Sequence, residues 1–135
     1  MTICTADGEK SVSFGSTSIC FSLYSTIVGR IPDSKSKYPL AVSLLESHSC
    51  KAKDAATTAD QFRSLQNQLS QLDPKDAIYS IQTPGKKAPW SERIPPSVSA
   101  CANLYTTEDG SDLLEELINL LLYASSKKTD VIPCY

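Results

Sequence analysis

The chain has 135 residues, 41% of them hydrophobic and 21% charged, with a formal net charge of −2. That length predicts one domain over residues 1–135, able to bury roughly two thirds of its unfolded surface without covalent staples. A nucleic-acid binder would carry a basic face, so the charge argues against direct nucleic-acid binding.

In chain order, Thr2 to Ala6 and Lys10 to Phe14 flank Asp7-Gly8-Glu9, and Asp-Gly between alternating segments predicts a hairpin. Gly15-Ser16 breaks the strand, with Ser16 placed to cap a helix running to about Arg30. Ile19, Cys20, Leu23, Tyr24, Ile27 and Val28 form its expected buried side. Pro32 to Lys35 reads as a loop. Pro39 suits the first turn of a short helix to Ser47, where its missing N–H costs nothing. From Ala52 to Leu72, Ala55, Ala59, Phe62, Leu65, Leu69 and Leu72 repeat at helical spacing, and Asp73-Pro74 ends the run.

Ala77 to Ile81 reads as a short strand on its apolar and β-branched content. Thr83 to Ser99 is long and irregular, with Pro84, Pro89, Pro95 and Pro96. A loop of this length is either functional or tied down by its own side chains. Trp90 is the expected tie, a structural residue rather than an exposed anchor. A strand near Ala102 to Thr107 and a last strand from Asp130 to Cys134 bracket one further helix. Strands at both ends and in the middle, with helices clustered between them, predict an α+β fold. The expected architecture is a four- or five-stranded, mostly antiparallel sheet with about four helices packed on it.

That further helix carries the densest charge. After a turn at Asp109-Gly110, with Gly110 as its structural pivot, Leu113, Leu114, Leu117, Ile118, Leu120, Leu121 and Ala124 form an apolar stripe. Glu108, Asp109, Asp112, Glu115 and Glu116 crowd its start, and no Lys or Arg lies between Ile94 and Ser126. Acids here complement the helix dipole, and Asp109 is the expected N-cap. Spaced three and four apart, Asp112, Glu115 and Glu116 are expected to share one solvent-facing side, suited to a basic protein partner.

Cys4, Cys20, Cys50, Cys101 and Cys134 are odd in number and irregularly spaced, which predicts five reduced thiols and neither a disulfide framework nor a zinc site. The first ten residues lack a basic flank and a long apolar run, and no stretch reaches the eighteen apolar residues of a membrane span. A cytoplasmic location and no membrane partner are expected. Catalytic groupings are missing as well. His48 is the only histidine, Cys50 two residues on is a poor partner for it, and there is no nucleophile elbow, phosphate loop or metal spacing. The chain reads as a binder with no catalytic, metal or cofactor site.

Gly15-Ser16, Ser25-Thr26-Ile27, Lys37-Tyr38-Pro39, the Leu65-to-Asp73 helix end with Pro74, Pro89-Trp90, and Tyr105, Thr107, Asp109-Gly110 and Asp112-Leu113 follow one another in the order of a known pattern. By these residues the chain resembles the immunity-protein-seventy family of bacterial polymorphic-toxin immunity proteins. It departs at Ser91, where the family pattern tends to have glycine, and in its extra cysteines. The resemblance implies a non-catalytic protein that binds a cognate secreted or contact-delivered toxin domain, as in contact-dependent growth inhibition. Many such toxins are nucleases with basic clefts, which an acidic surface would occlude. Glu108, Asp109, Asp112, Glu115 and Glu116 are the candidate toxin contacts, with Tyr105 and Tyr123 as aromatic neighbours. Two rivals remain at this level: a cytosolic adaptor or regulatory module without a toxin partner, and a small hydrolase using Cys20, Cys50 or His48.

Overall fold

The computed structural model describes residues 1–83 and 85–134. The first hairpin forms as expected, from β1 (Thr2–Thr5) and β2 (Ser11–Ser13). Gly8 takes φ +78° in its turn, a conformation costly for residues with a Cβ. The Asp7 carboxylate accepts from the Thr5 hydroxyl and, at 3.0 Å, from the Glu9 N–H. The last strand, β3 (Val131–Cys134), pairs antiparallel with the other side of β1, giving the order β2-β1-β3. Ile3 opposite Val12 and Thr5 opposite Val131 face the core, so the register buries one side of the sheet.

Helices α1 (Thr17–Arg30), α3 (Pro39–Ser47), α4 (Ala52–Leu69) and α5 (Leu113–Lys127) lie where the apolar periodicity places them. A single turn, α2 (Ser34–Lys37), forms in the segment expected as a loop. All seven residues of the α5 stripe are buried. They pack on Ala55, Thr58, Ala59, Phe62, Leu65 and Leu69 of α4, and the α4–α5 contact is the centre of the core. Leu72 lies beyond the end of α4, half-buried after tightened turns closed by Gln71 N–H to Gln68 O at 3.1 Å.

Three strands form among the described residues, fewer than the four or five expected, and the two missing ones fail for different reasons. Ala77 to Ile81 forms no strand, because its main-chain groups bond to hydroxyls of α1. Ser22 Oγ donates to Ile78 O at 2.8 Å, Ile78 N–H donates to Thr26 Oγ1 at 2.8 Å, and Ile81 N–H donates to Ser25 Oγ at 3.0 Å. Satisfied this way, the segment needs no strand partner. It also explains a second correction. Ser22, Ser25 and Thr26 are fully buried on α1, whereas Ile19, Tyr24 and Val28 are only half-buried.

The segment expected as a strand from Ala102 to Thr107 begins instead with a 3₁₀ turn over Cys101–Asn103. Asn103 Oδ1 accepts from the N–H groups of Ser99 and Ala100, both at 3.1 Å. Such local side-chain bonds compete with a sheet ladder and win here. The remainder makes one isolated bridge, Thr106 opposite Asp112, closing the loop ahead of α5.

Cys4 and Cys134 are disulfide-bonded, with Cα atoms 5.8 Å apart. The expectation of five free thiols is therefore wrong; Cys20, Cys50 and Cys101 are free. Wide spacing along the chain carried no information about space, because β1 and β3 bring residues 130 apart in sequence side by side.

Candidate functional site

The loop Thr107–Ser111 is built before its charges are placed. Gly110 has φ +90° and donates its N–H to Thr107 O at 3.0 Å. Asp109 does not cap α5 as expected. Its carboxylate accepts from the Thr107 hydroxyl and, at 3.3 Å, from Ser111 N–H. Those bonds, the Thr107 hydroxyl foremost, hold its carboxyl below the usual aspartate range. The cap is Asp112, whose Oδ1 accepts from Glu115 N–H at 3.2 Å.

The acids expected on one side divide between two. Glu115 leans toward α4, where its Oε1 accepts from Gln66 Nε2 at 2.7 Å. Glu116, one residue on and about 100° around the helix, lines a groove beside β2 with Ser11, Val12, Ser13, Glu108 and Asp109. That groove has a volume of about 340 Å³. Glu108 closes one end, its Oε2 accepting from Ser13 Oγ at 2.8 Å and its N–H donating to Ser13 O at 3.0 Å. Glu108, Asp109 and Glu116 thus converge on one concave surface, and Asp112 and Glu115 do not line it.

The two aromatic candidates separate as well. Tyr105 is 2% exposed, so its ring is unavailable to a partner. Its hydroxyl is shared with Ser22 Oγ at 3.0 Å and Thr26 Oγ1 at 2.8 Å, and burial pushes its pKa up to about 12. Tyr123 is half-buried beside the hairpin, donating to Asp7 Oδ2 at 3.1 Å, with Lys10 Nζ 5.8 Å from its ring centre.

Trp90 is half-buried, packed against the core, with its ring edge-on to Tyr79 at 5.5 Å. Pro84 of its loop lies outside the described residues. Trp90, Ile19, Val98, Leu104 and Tyr105 surround a cavity of about 210 Å³, joining the loop to α1. Trp90→Ala is expected to destabilise by about 2–3 kcal/mol, below the roughly 3–5 kcal/mol of a fully buried aromatic. Urea denaturation measures this. Unchanged stability with collapsed partner affinity would make Trp90 an interface anchor.

A larger groove, about 640 Å³, lies between α1 and α3 and was not anticipated. It is lined by Cys20, Phe21, Tyr24, Glu46, His48 and Ile81 among others, and Phe21 and Tyr24 stack at 5.9 Å. His48 lines this groove, whereas Cys50 lines a different cavity beside Asp130, so the two do not share a site. Burial pushes the Cys20 thiol up to about 12 and the Cys101 thiol to about 11, and it raises Cys50. Cys20 and Cys101, held this far above neutrality, carry almost no thiolate, the form a nucleophile needs. Among the described residues no three His, Cys, Asp or Glu side chains cluster to hold a metal ion, and no helix is long and apolar enough to cross a membrane.

No curated protein and no solved structure gives a significant match. A family model described as immunity protein 70 matches residues 3–132, spanning the hairpin, every helix and the loop that carries Trp90. The matched span contains the Gly15-Ser16, Pro89-Trp90 and Asp109-Gly110 positions that carried the resemblance, and the chain belongs to the immunity protein 70 family.

Proposed function

We propose that this protein shields the cell that makes it by binding a cognate secreted or contact-delivered toxin domain and covering its active site or substrate groove. Family membership over residues 3–132 is the observation that carries the reading. The protein acts by occupancy rather than by catalysis, and the acidic groove of Glu108, Asp109 and Glu116 meets a basic surface of the toxin, as a nuclease cleft would offer. Complementary charge speeds capture, while packed neighbours supply the holding energy. Tyr123, at the hairpin, is the aromatic neighbour in reach of solvent.

The test is direct. Co-expression with the toxin domain encoded beside this gene should restore growth, and the two proteins should co-purify as a stable complex. Continued toxicity, with no complex detectable by calorimetry at micromolar concentrations, would leave the adaptor reading in its place.

A further inference from the structure

The two edges of the sheet are treated differently. Along β3, the bond from Ala6 N–H to Asp130 O at 2.8 Å fixes which residues face β1. By the alternation of an antiparallel ladder, Val131 and Pro133 then turn their main-chain groups outward. Both are blunted. Val131 exchanges two hydrogen bonds with Cys50, at 2.8 and 2.9 Å, and Pro133 has no N–H to offer. This edge is closed to a further strand.

The β2 edge is not. Thr5 N–H donates to Lys10 O and Phe14 N–H to Met1 O, both at 2.9 Å, so Val12 faces β1 while Ser11 and Ser13 face outward. Of their four outward groups, only Ser13 C=O has a protein partner among the described residues, the Glu108 N–H at 3.0 Å. Ser11 N–H, Ser11 C=O and Ser13 N–H are left in the groove walled by Glu108, Asp109 and Glu116. An exposed row of donors and acceptors is a template for another strand, and proteins usually blunt it, as this one does on the opposite side.

We propose that an extended, basic segment of the toxin docks here by adding a strand to β2. The inference rests on the toxin-binding reading and specifies where and how the partner is held. Main-chain pairing with Ser11, whose N–H and C=O are both open, fixes the register of the incoming segment, which ends where the Glu108 N–H already holds Ser13 C=O. Side chains flanking the residue opposite Ser11 point to the α5 side, where Lys or Arg meets Glu116, and the Glu108–Asp109 wall receives the next. A second copy of this chain is a poor occupant, because it would bring the same three acids against themselves in a protein already at −2.

Hydrogen exchange on the wild-type protein, with and without the toxin domain encoded beside its gene, reads the edge directly. The Ser11 amide should slow by at least about 10-fold in the complex, since pairing removes it from solvent. Ser11→Pro deletes one outward N–H without touching the bonds to β1, as edge strands tolerate. It should weaken toxin binding by roughly 10-fold or more, by leaving a buried acceptor on the toxin unpaired. Absence of any wild-type complex would sink the toxin reading and this proposal with it. A complex in which the Ser11 amide exchanges as in the free protein would sink the proposal alone, even if Ser11→Pro does not fold. A wild-type dimer dissociated by Ser11→Pro would instead reassign the edge to self-association.

Discussion

Reducing the Cys4–Cys134 disulfide, or replacing both cysteines with serine, should lower the melting temperature by on the order of 10 °C while leaving the protein folded. The bond closes a span of 130 residues, nearly the whole chain. In the chain-entropy picture a loop that long restrains the unfolded state by up to about 5 kcal/mol, and native disulfides typically contribute roughly 2–5 kcal/mol. The folded state has other ties at the same place. β3 keeps its register against β1 from Thr2 opposite Cys134 to Thr5 opposite Val131, and Cys50 braces its outer side. The sheet should therefore survive reduction, with fraying at Pro133 and Cys134 first. Thermal melts with and without a thiol reductant measure the loss. Coincident melts would mean that the terminal strand is held by its hydrogen bonds alone. Thiol titration of the oxidised, denatured protein should find Cys20, Cys50 and Cys101 only.

The helices were legible because their period is written in many residues at once. Seven apolar positions in α5 and six in the preceding long helix agree on one face each, and all but Leu72 of these thirteen are buried. The middle strands were misread because Ile78 and Tyr105 look alike as sequence whether their neighbours bond to a strand or to hydroxyls. Ser22, Ser25 and Thr26 gave no sign of being interior, since buried hydroxyls are rare unless something arrives to use them. The disulfide was invisible for a related reason: pairing depends on β3 returning to β1, which no local pattern records. The acidic site was legible in composition but not in layout. A step of about 100° per residue was enough to place Glu115 and Glu116 on different flanks of α5, and α4 and β2 then claimed one each. Tyr105 was lost as a surface aromatic because its hydroxyl had partners 79 and 83 residues away.

That division of the acids makes the last prediction sharper than their number alone allows. Glu108→Gln with Glu116→Gln removes two charges from the groove beside β2 and keeps both side chains near their original shape. The amide that replaces the Glu108 carboxylate still offers an oxygen to Ser13 Oγ, and Glu116 takes no part in capping, so stability should change by less than about 0.5 kcal/mol. Association with the toxin domain should slow by roughly 10-fold at low salt, because fields summed in a concave, low-dielectric cleft steer an oppositely charged partner. The difference should shrink as ionic strength rises past about 0.15 M, where the screening length falls to about 8 Å. Glu115→Gln is the control: it removes charge from the same helix turn but on the α4 side, where Gln66 already occupies its carboxylate at 2.7 Å. Stopped-flow traces at two salt concentrations separate these cases. If Glu115→Gln slows capture as much as the groove pair does, steering comes from the whole helix start and the groove has no special part. If neither variant alters the rate, the acids serve the helix dipole and the docking face lies elsewhere, with the groove between α1 and α3 the next surface to mutate.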